Sequence, residues 1–280
     1  MDIKPNFTFR GGPTVNRLGF GAMRITGKGV WGPPADEGGT IALLRHAVDR
    51  GVEFIDTADS YGPDVSESLI AKALHPYPSH LLIASKGGFV RPGPGAWSPN
   101  GRPAHLRQAC EASLKRLGVE RIDLYQLHTP DPAVPIEESV GALVELQRQG
   151  KIGRIGVSNV TSAALKRAQT VGEIVSVQNA CNLQDRSSDD LIDLCAAAGL
   201  AFIAFYPLAK GRLARPGSAL AQIAERHRAT PGQIALAWLL HRSPAILPIP
   251  GTSSIAHFDE NLAAAAIRLV PDDLQALATG

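Results

Sequence analysis

Four residues of complementary chemistry each stand at or just beyond the end of a short apolar run. Asp56 closes Phe54-Ile55-Asp56, Lys86 closes Ala84-Ser85-Lys86, His128 follows Tyr125-Gln126-Leu127, and Tyr61 stands in the segment that follows Asp56. A carboxylate, an ammonium, an imidazole and a phenol brought to one place form a proton-transfer group, because each tunes the others. A tyrosine alone is a poor acid at neutral pH, with a reference pKa of about 10. A neighbouring ammonium is expected to lower it by about 1–3 units, with Asp56 keeping Lys86 charged and aimed. His128 would orient the substrate oxygen or share the proton. Taken singly, each residue also fits a plain role: Asp56 and Lys86 as an ion pair, Tyr61 as loop packing, His128 as a satisfied core histidine. Their place on successive strand ends favours the chemical role.

The elements that must position them follow a βα rhythm. Short β-branched and apolar runs are expected as strands at 18–21, 52–56, 81–85, 122–127, 152–157, 174–178, 201–205 and 245–249. Helical periodicity covers 38–50, 66–74, 103–117, 136–149, 161–170, 187–198, 217–228 and 231–242. Gly51, Gly118, Gly150 and Gly199 each follow a helical run, as a left-handed cap favours. This alternation predicts a single (β/α)8 TIM barrel over 1–280, with extra helices near the C-terminus. Phe7-Thr8-Phe9 and Thr14-Val15-Asn16, joined by Arg10-Gly11-Gly12-Pro13, read as a β-hairpin closing the barrel bottom. In such barrels ligands bind at the carboxyl ends of the strands. The Pro- and Gly-rich loop 90–102 is long enough to be functional.

Phe54-Ile55-Asp56-Thr57-Ala58-Asp59-Ser60-Tyr61-Gly62, Ser85-Lys86, Leu127-His128-Thr129-Pro130-Asp131 and Gly156-Val157-Ser158-Asn159 resemble, in order, the motifs of the aldo-keto reductase family. The resemblance runs nearly end to end and implies a barrel that binds NADPH and passes hydride to an aldehyde or ketone. It makes Tyr61 the general acid, Lys86 and Asp56 its tuning pair and His128 the orienting group. It assigns Ser158, Asn159 and Gln178 to the nicotinamide carboxamide, a group that needs both donors and acceptors. Phe205 matches the aromatic on which the nicotinamide stacks. Gly21, Ala22, Met23 and Asp56, and also Tyr206, Pro207 and Leu208, are implied as further cofactor contacts. Gly251, Ser253, His257, Glu260 and Asn261 match the adenosine-phosphate site, where a loop and short helix offer polar atoms; His257 stands where members often carry Arg or Gln.

Finer similarity, in Asn16-Arg17-Leu18-Gly19-Phe20-Gly21-Ala22-Met23 and Val30-Trp31-Gly32-Pro33-Pro34, points to the family's pyridoxal-reductase-like branch and so to pyridoxal as substrate. Trp31, Phe89 and Trp97, with Tyr61 and His128, are the candidate substrate pocket.

Composition excludes other classes. With Lys+Arg 28 against Asp+Glu 26, basic residues are scattered and form no nucleic-acid stripe. The longest apolar stretch, 194–209, holds Gly199 and Pro207 and falls short of a span of about 20 residues. The segment 1–5 lacks a basic and then apolar leader pattern, so the expected location is cytoplasmic. Cys110, Cys181 and Cys195 have no paired spacing and read as packing residues. The remaining histidines show no metal-ligand spacing, so no metal is expected. Gly27-Lys28 lacks P-loop spacing, and Gly156-Val157-Ser158-Asn159-Val160 lacks the second glycine of a nucleophile elbow. The expected partner is a small carbonyl compound, with no nucleic acid and no membrane, and the chain as a monomer or weak homo-oligomer. The competing reading is an NADPH-binding, redox-sensing regulatory protein with negligible turnover.

Overall fold

The computed structural model describes residues 4–209 and 218–279. An antiparallel hairpin, β1 (Asn6–Thr8) and β2 (Thr14–Asn16), precedes the main sheet. The barrel strands are β3 (Phe20–Gly21), β4 (Phe54–Asp56) and β5 (Leu82–Gly87). A second small hairpin, β6 (Phe89–Val90) with β7 (Ser98–Pro99), then interrupts them. The barrel resumes with β8 (Ile122–Leu127), β9 (Ile152–Ser158), β10 (Ile174–Ala180), β11 (Ala201–Phe205) and β12 (Ile246–Pro248). Their order is β12-β11-β10-β9-β8-β5-β4-β3, every pair parallel. The Gly19 amide donates to the Pro248 carbonyl at 3.0 Å and the Gly21 amide to the Pro250 carbonyl at 3.4 Å, joining the first strand to the last. Eight parallel strands with helices outside them form the expected (β/α)8 fold. The last strand stops short of the predicted 245–249 because Pro248 and Pro250 have no amide hydrogen for a ladder.

The helices are α1 (Glu37–Asp49), α2 (Val65–Leu74), α3 (Pro103–Leu117), α4 (Ile136–Arg148), α5 (Ser162–Gln169), α6 (Asp189–Ala198), α7 (Ala219–Arg226) and α8 (Pro231–Arg242). Two more, α9 (Ile255–Ala263) and α10 (Pro271–Thr279), lie near the C-terminus. Of the predicted helix 217–228, residue 217 lies outside the described residues, as do residues 1–3 of the segment read for a leader. Local signals explain the boundaries. Asp36, Thr161, Ser218, Thr230 and Ser254 accept hydrogen bonds from backbone amides of the first turns they cap. Gly118 and Gly199 end α3 and α6 at φ of 67° and 66°.

Strand alternation separates two apolar layers. Ile55, Ile83, Tyr125, Val157, Phe202 and Ile246 face outward into the core shared with the helices. Phe54, Leu82, Ala84, Leu124, Val175, Ala201, Ile203 and Leu247 face inward and meet Phe9 and Val15 from the first hairpin and its turn. The hairpin thus contributes side chains to the barrel interior, as its pattern suggested. The three cysteines are free and buried, and burial pushes each thiol up to about 12. No helix among the described residues is long and apolar enough to cross a membrane.

Candidate active site

The inward register that carries the barrel core continues one step further into polar residues. On β4, Phe54 is followed two positions later by Asp56; on β5, Leu82 and Ala84 lead to Lys86; on β8, Leu124 leads to Gln126. Gln178 and Ser158 are register partners across β10 and β9. A polar layer therefore caps the apolar one at the carboxyl ends of the strands.

Lys86 Nζ, fully buried, donates to Asp56 Oδ2 at 2.6 Å, to the Thr57 carbonyl at 2.7 Å and to the Tyr61 hydroxyl at 3.3 Å. Asp56 Oδ1 accepts from Gln178 Nε2 at 2.7 Å and from Gln126 Nε2 at 3.3 Å. The carboxylate is thus satisfied from three strands and aimed at one ammonium. The Tyr61 and His128 rings lie 5.7 Å apart, centroid to centroid. His128 Nδ1 is 3.3 Å from Ser60 Oγ, and its carbonyl accepts from Asn159 Nδ2 at 2.9 Å. Asn159 holds this position in the left-handed region, φ 57°, a conformation that asparagine tolerates better than most residues.

One electrostatic expectation is reversed. Burial first, and then the Asp56 charge, push the Tyr61 phenol well above its ordinary value. Burial dominates, and the ammonium lies closer to Asp56 than to the phenol, at 2.6 against 3.3 Å. Tyr61 is therefore held as the protonated phenol, the form a proton donor needs, beside a cation able to stabilise the phenolate left after donation. Burial lowers Lys86 while Asp56 opposes that shift. Burial, with Lys86 and Arg91 nearby, drives His128 well below its ordinary value, leaving a neutral ring.

A cleft of about 700 Å³ opens over this group. It is lined by Asp56, Tyr61, His128, Phe89 and Trp97 and by Ser158, Asn159, Gln178, Phe205, Tyr206, Pro207 and Leu208. Gly21, Met23, Gly251, Ser253 and His257 line the rest, together with Arg24, Ile249, Pro250 and Thr252, which sequence reasoning did not assign. Five assigned residues do not line it, one being the fully buried Lys86. Ala22 is fully buried in the core between sheet and helices. Trp31 has the Arg91 guanidinium 5.6 Å from its ring centroid. Glu260 Oε1 accepts from Thr230 Oγ1 at 2.5 Å, and the Glu260 carbonyl accepts from Gln233 Nε2 at 2.9 Å, tying α9 to α8. Asn261 lines a separate small cavity with Leu18, Gly19 and Phe258.

Two further groups beside the site escaped the sequence reading. Glu67, fully buried, accepts from Ser85 Oγ and from Arg116 Nε, the latter at 2.7 Å. Near it the Asp59 carboxyl, whose Oδ1 lacks a partner, is pushed up to about 8 by burial and by Glu67. Arg91 is the second. A polar residue two positions before Tyr61 was a visible signal for the first; nothing in spacing marked Arg91, which lies in a glycine- and proline-rich loop.

An eight-stranded parallel barrel with this tetrad at its carboxyl rim is the arrangement of an aldo-keto reductase, and the chain belongs to the aldo/keto reductase family, whose model matches residues 17–279. It is an oxidoreductase. It is 48% identical over 259 residues to an uncharacterised oxidoreductase of Schizosaccharomyces pombe, covering 92% of this chain and 84% of the relative. Pyridoxine 4-dehydrogenase of Escherichia coli is 43% identical over 274 residues, with 95% of each chain covered. An aldo/keto reductase from Klebsiella pneumoniae, solved with NADP and acetate, superposes with a TM-score of 0.84 at 30% identity, covering 99% of this chain and 95% of that one.

Proposed function

We propose that the protein reduces an aldehyde or ketone to an alcohol with NADPH, Tyr61 giving the proton and Lys86, Asp56 and His128 serving it. The observation that carries the reading is the 3.3 Å approach of the buried Lys86 ammonium to a phenol that opens onto the cleft. When bound, the nicotinamide supplies the hydride. The chain's own residues fit such a group. The Gly21 and Gly251 strand ends approach so closely that a Cβ on Gly251 would stand 2.6 Å from the Gly21 carbonyl oxygen, leaving backbone as the wall. Ser158, Asn159 and Gln178 offer donors and acceptors to a carboxamide, Phe205 an aromatic face, and Ser253, His257 and Arg24 polar and cationic groups to phosphate and adenosine.

In the reduction, the substrate oxygen accepts a hydrogen bond from the Tyr61 hydroxyl, and the neutral His128 ring is close enough to orient it. As charge gathers on that oxygen the phenol releases its proton, and Lys86, held by Asp56, stabilises the phenolate. Pyridoxal is the substrate we infer, on the sequence resemblance and the similarity to pyridoxine 4-dehydrogenase. Tyr61→Phe tests the core of the reading: NADPH oxidation with pyridoxal or another aldehyde should fall by about 10²–10⁴-fold, while NADPH titration by fluorescence keeps its affinity. Parental turnover in Tyr61→Phe would remove Tyr61 from the proton path.

A further inference from the structure

Arg91 is 9% exposed, carries a full guanidinium, and among the described residues faces no carboxylate. Its donors are spent on main-chain carbonyls of three separate segments. Nε donates to Ala96 at 2.8 Å, Nη1 to Val30 at 2.9 Å and to Ser60 at 2.6 Å, and Nη2 to Gly29 at 3.2 Å. Its plane lies over Trp97, with the central carbon 3.7 Å from the ring centroid. A planar fork with five N–H groups is the one side chain able to hold so many diverging carbonyls, and its face stacks well on an aromatic ring.

What Arg91 ties together is the wall facing the catalytic phenol. Ser60 precedes Tyr61, and its hydroxyl faces His128. The Gly32 amide donates to the Gly62 carbonyl at 2.6 Å, joining the 29–32 loop to the tyrosine segment on its other side. Val30 is held at φ 56°, a left-handed conformation that a β-branched residue rarely adopts, so this loop needs an external hold. Trp97 projects toward Tyr61 and His128, with ring centroids at 6.3 and 6.2 Å, and Phe89 approaches His128 at 4.7 Å. Trp97 and Phe89 line the cleft; Arg91 does not. Its effect on a substrate passes through the residues it holds, Trp97 foremost.

We propose that Arg91 is a specificity-determining positioning residue: it fixes Trp97 into a rigid, uncharged aromatic wall that favours flat aromatic aldehydes over short aliphatic ones. The proposal rests on the carbonyl-reductase reading above. Tyr61, His128, Phe89 and Trp97 offer a planar ring edge and face contacts and two hydrogen-bonding groups at the aldehyde end, with the guanidinium's N–H donors committed to main-chain carbonyls.

The test compares kcat/KM for benzaldehyde and propanal with NADPH in the parent, Arg91→Met, Arg91→Lys and Trp97→Leu. In Arg91→Met the benzaldehyde to propanal ratio should fall about tenfold, the size of one lost aromatic contact, chiefly through KM for benzaldehyde. Arg91→Lys, which keeps the charge but offers three donors from one point, should recover part of the ratio. Trp97→Leu should lower the ratio in the same direction, and adding Arg91→Met to it should lower it little further. Equal losses on both aldehydes, or an unchanged ratio, would overturn the proposal by making Arg91 a general loop tie. If Arg91→Met does not fold, the ratios of Arg91→Lys and Trp97→Leu decide in the same way. A parent that oxidises NADPH with no carbonyl sinks the carbonyl-reductase reading itself, an outcome distinct from unchanged selectivity in an active enzyme.

Discussion

Replacing Asp56 by Asn removes the one charge that touches a fully buried lysine. Lys86 has no exposed surface, and its other hydrogen bonds run to the Thr57 carbonyl and the Tyr61 hydroxyl, both neutral. Breaking a buried pair from one side costs about 3–5 kcal/mol, because the remaining charge is left uncompensated. The lysine has an escape, which sets a ceiling. It can fold deprotonated, at a cost of about 1.4 kcal/mol for every pH unit below its ordinary 10.5. At pH 7 that ceiling is about 5 kcal/mol, and at pH 9 about 2.

The sign follows from proton counts. A lysine whose folded pKa is depressed binds fewer protons in the native state than in the unfolded chain, so unfolding free energy rises with pH between the folded value and 10.5. Asp56→Asn should therefore lose several kcal/mol relative to the parent at pH 7 and regain much of that by pH 9. Urea unfolding followed by circular dichroism at both pH values measures it. The double variant Asp56→Asn/Lys86→Met should recover most of the stability at pH 7 without the pH slope. A single variant that loses less than about 1 kcal/mol at pH 7, or the same amount at both pH values, would show that the buried ammonium does not depend on Asp56 as the distances imply.

Other consequences are measurable. Asp59, raised to about 8, binds a proton in the folded protein that the unfolded chain releases above its ordinary 3.8, so stability should decline from about pH 4 to pH 8 on its account. Asp59→Asn should flatten that decline and stabilise the protein at pH 8 by several kcal/mol, with a ceiling of about 6 set by the interval from 3.8 to about 8, read by thermal melts across pH; an unchanged slope would refute the assignment. With Tyr61 raised and His128 lowered, kcat/KM for carbonyl reduction should show no limb from either residue between about pH 6 and 9. A limb in that range that shifts in His128→Gln would contradict the neutral imidazole. Thr230→Ala removes a capping box on α8 together with the Thr230 hydrogen bond to Glu260. It should cost about 1–2 kcal/mol in urea unfolding, and Glu260→Gln should then have a smaller effect than it has alone.

Two of the tetrad, Asp56 and Lys86, were legible in sequence because they obey the same alternation as the core, and Tyr61 and His128 because they follow strand ends. Once Phe54, Leu82 and Leu124 are read as inward, Asp56, Lys86 and Gln126 must stand on the same face one layer higher. The eight-strand rhythm was legible for a similar reason: caps such as Gly118 and Gly199 are local, and they punctuate each βα unit. Strand ends were less legible where pairing rather than composition decides them, as at β3, whose expected 18–21 contracts to Phe20–Gly21. Tyr61's tuning was misread for a further reason. Spacing showed that Lys86 and Asp56 would both be near the phenol, and the direction of the shift depends on which neighbour each charge prefers and on burial.

Arg91 and Glu260 mark where one-dimensional reasoning ends and what replaces it. Glu260 resembles a cofactor ligand by position, yet its carboxylate is bonded to Thr230 across an interhelical contact that no local pattern announces. Arg91 looks like a loop cation beside Pro92 and Gly93, yet its partners come from positions 29, 30, 60 and 96. Both roles are defined by carbonyls and hydroxyls that every sequence contains, so their types carry no signal; only their convergence does. Asp56 and Lys86, two of the residues proposed for the proton transfer, are therefore readable from strand register, whereas those proposed to shape the substrate wall depend on which loops fold against one another. The chemistry and the selectivity of this barrel are in that sense written at different levels, and the second should tolerate change at Arg91 and Trp97 that the first does not tolerate at Tyr61 or Lys86.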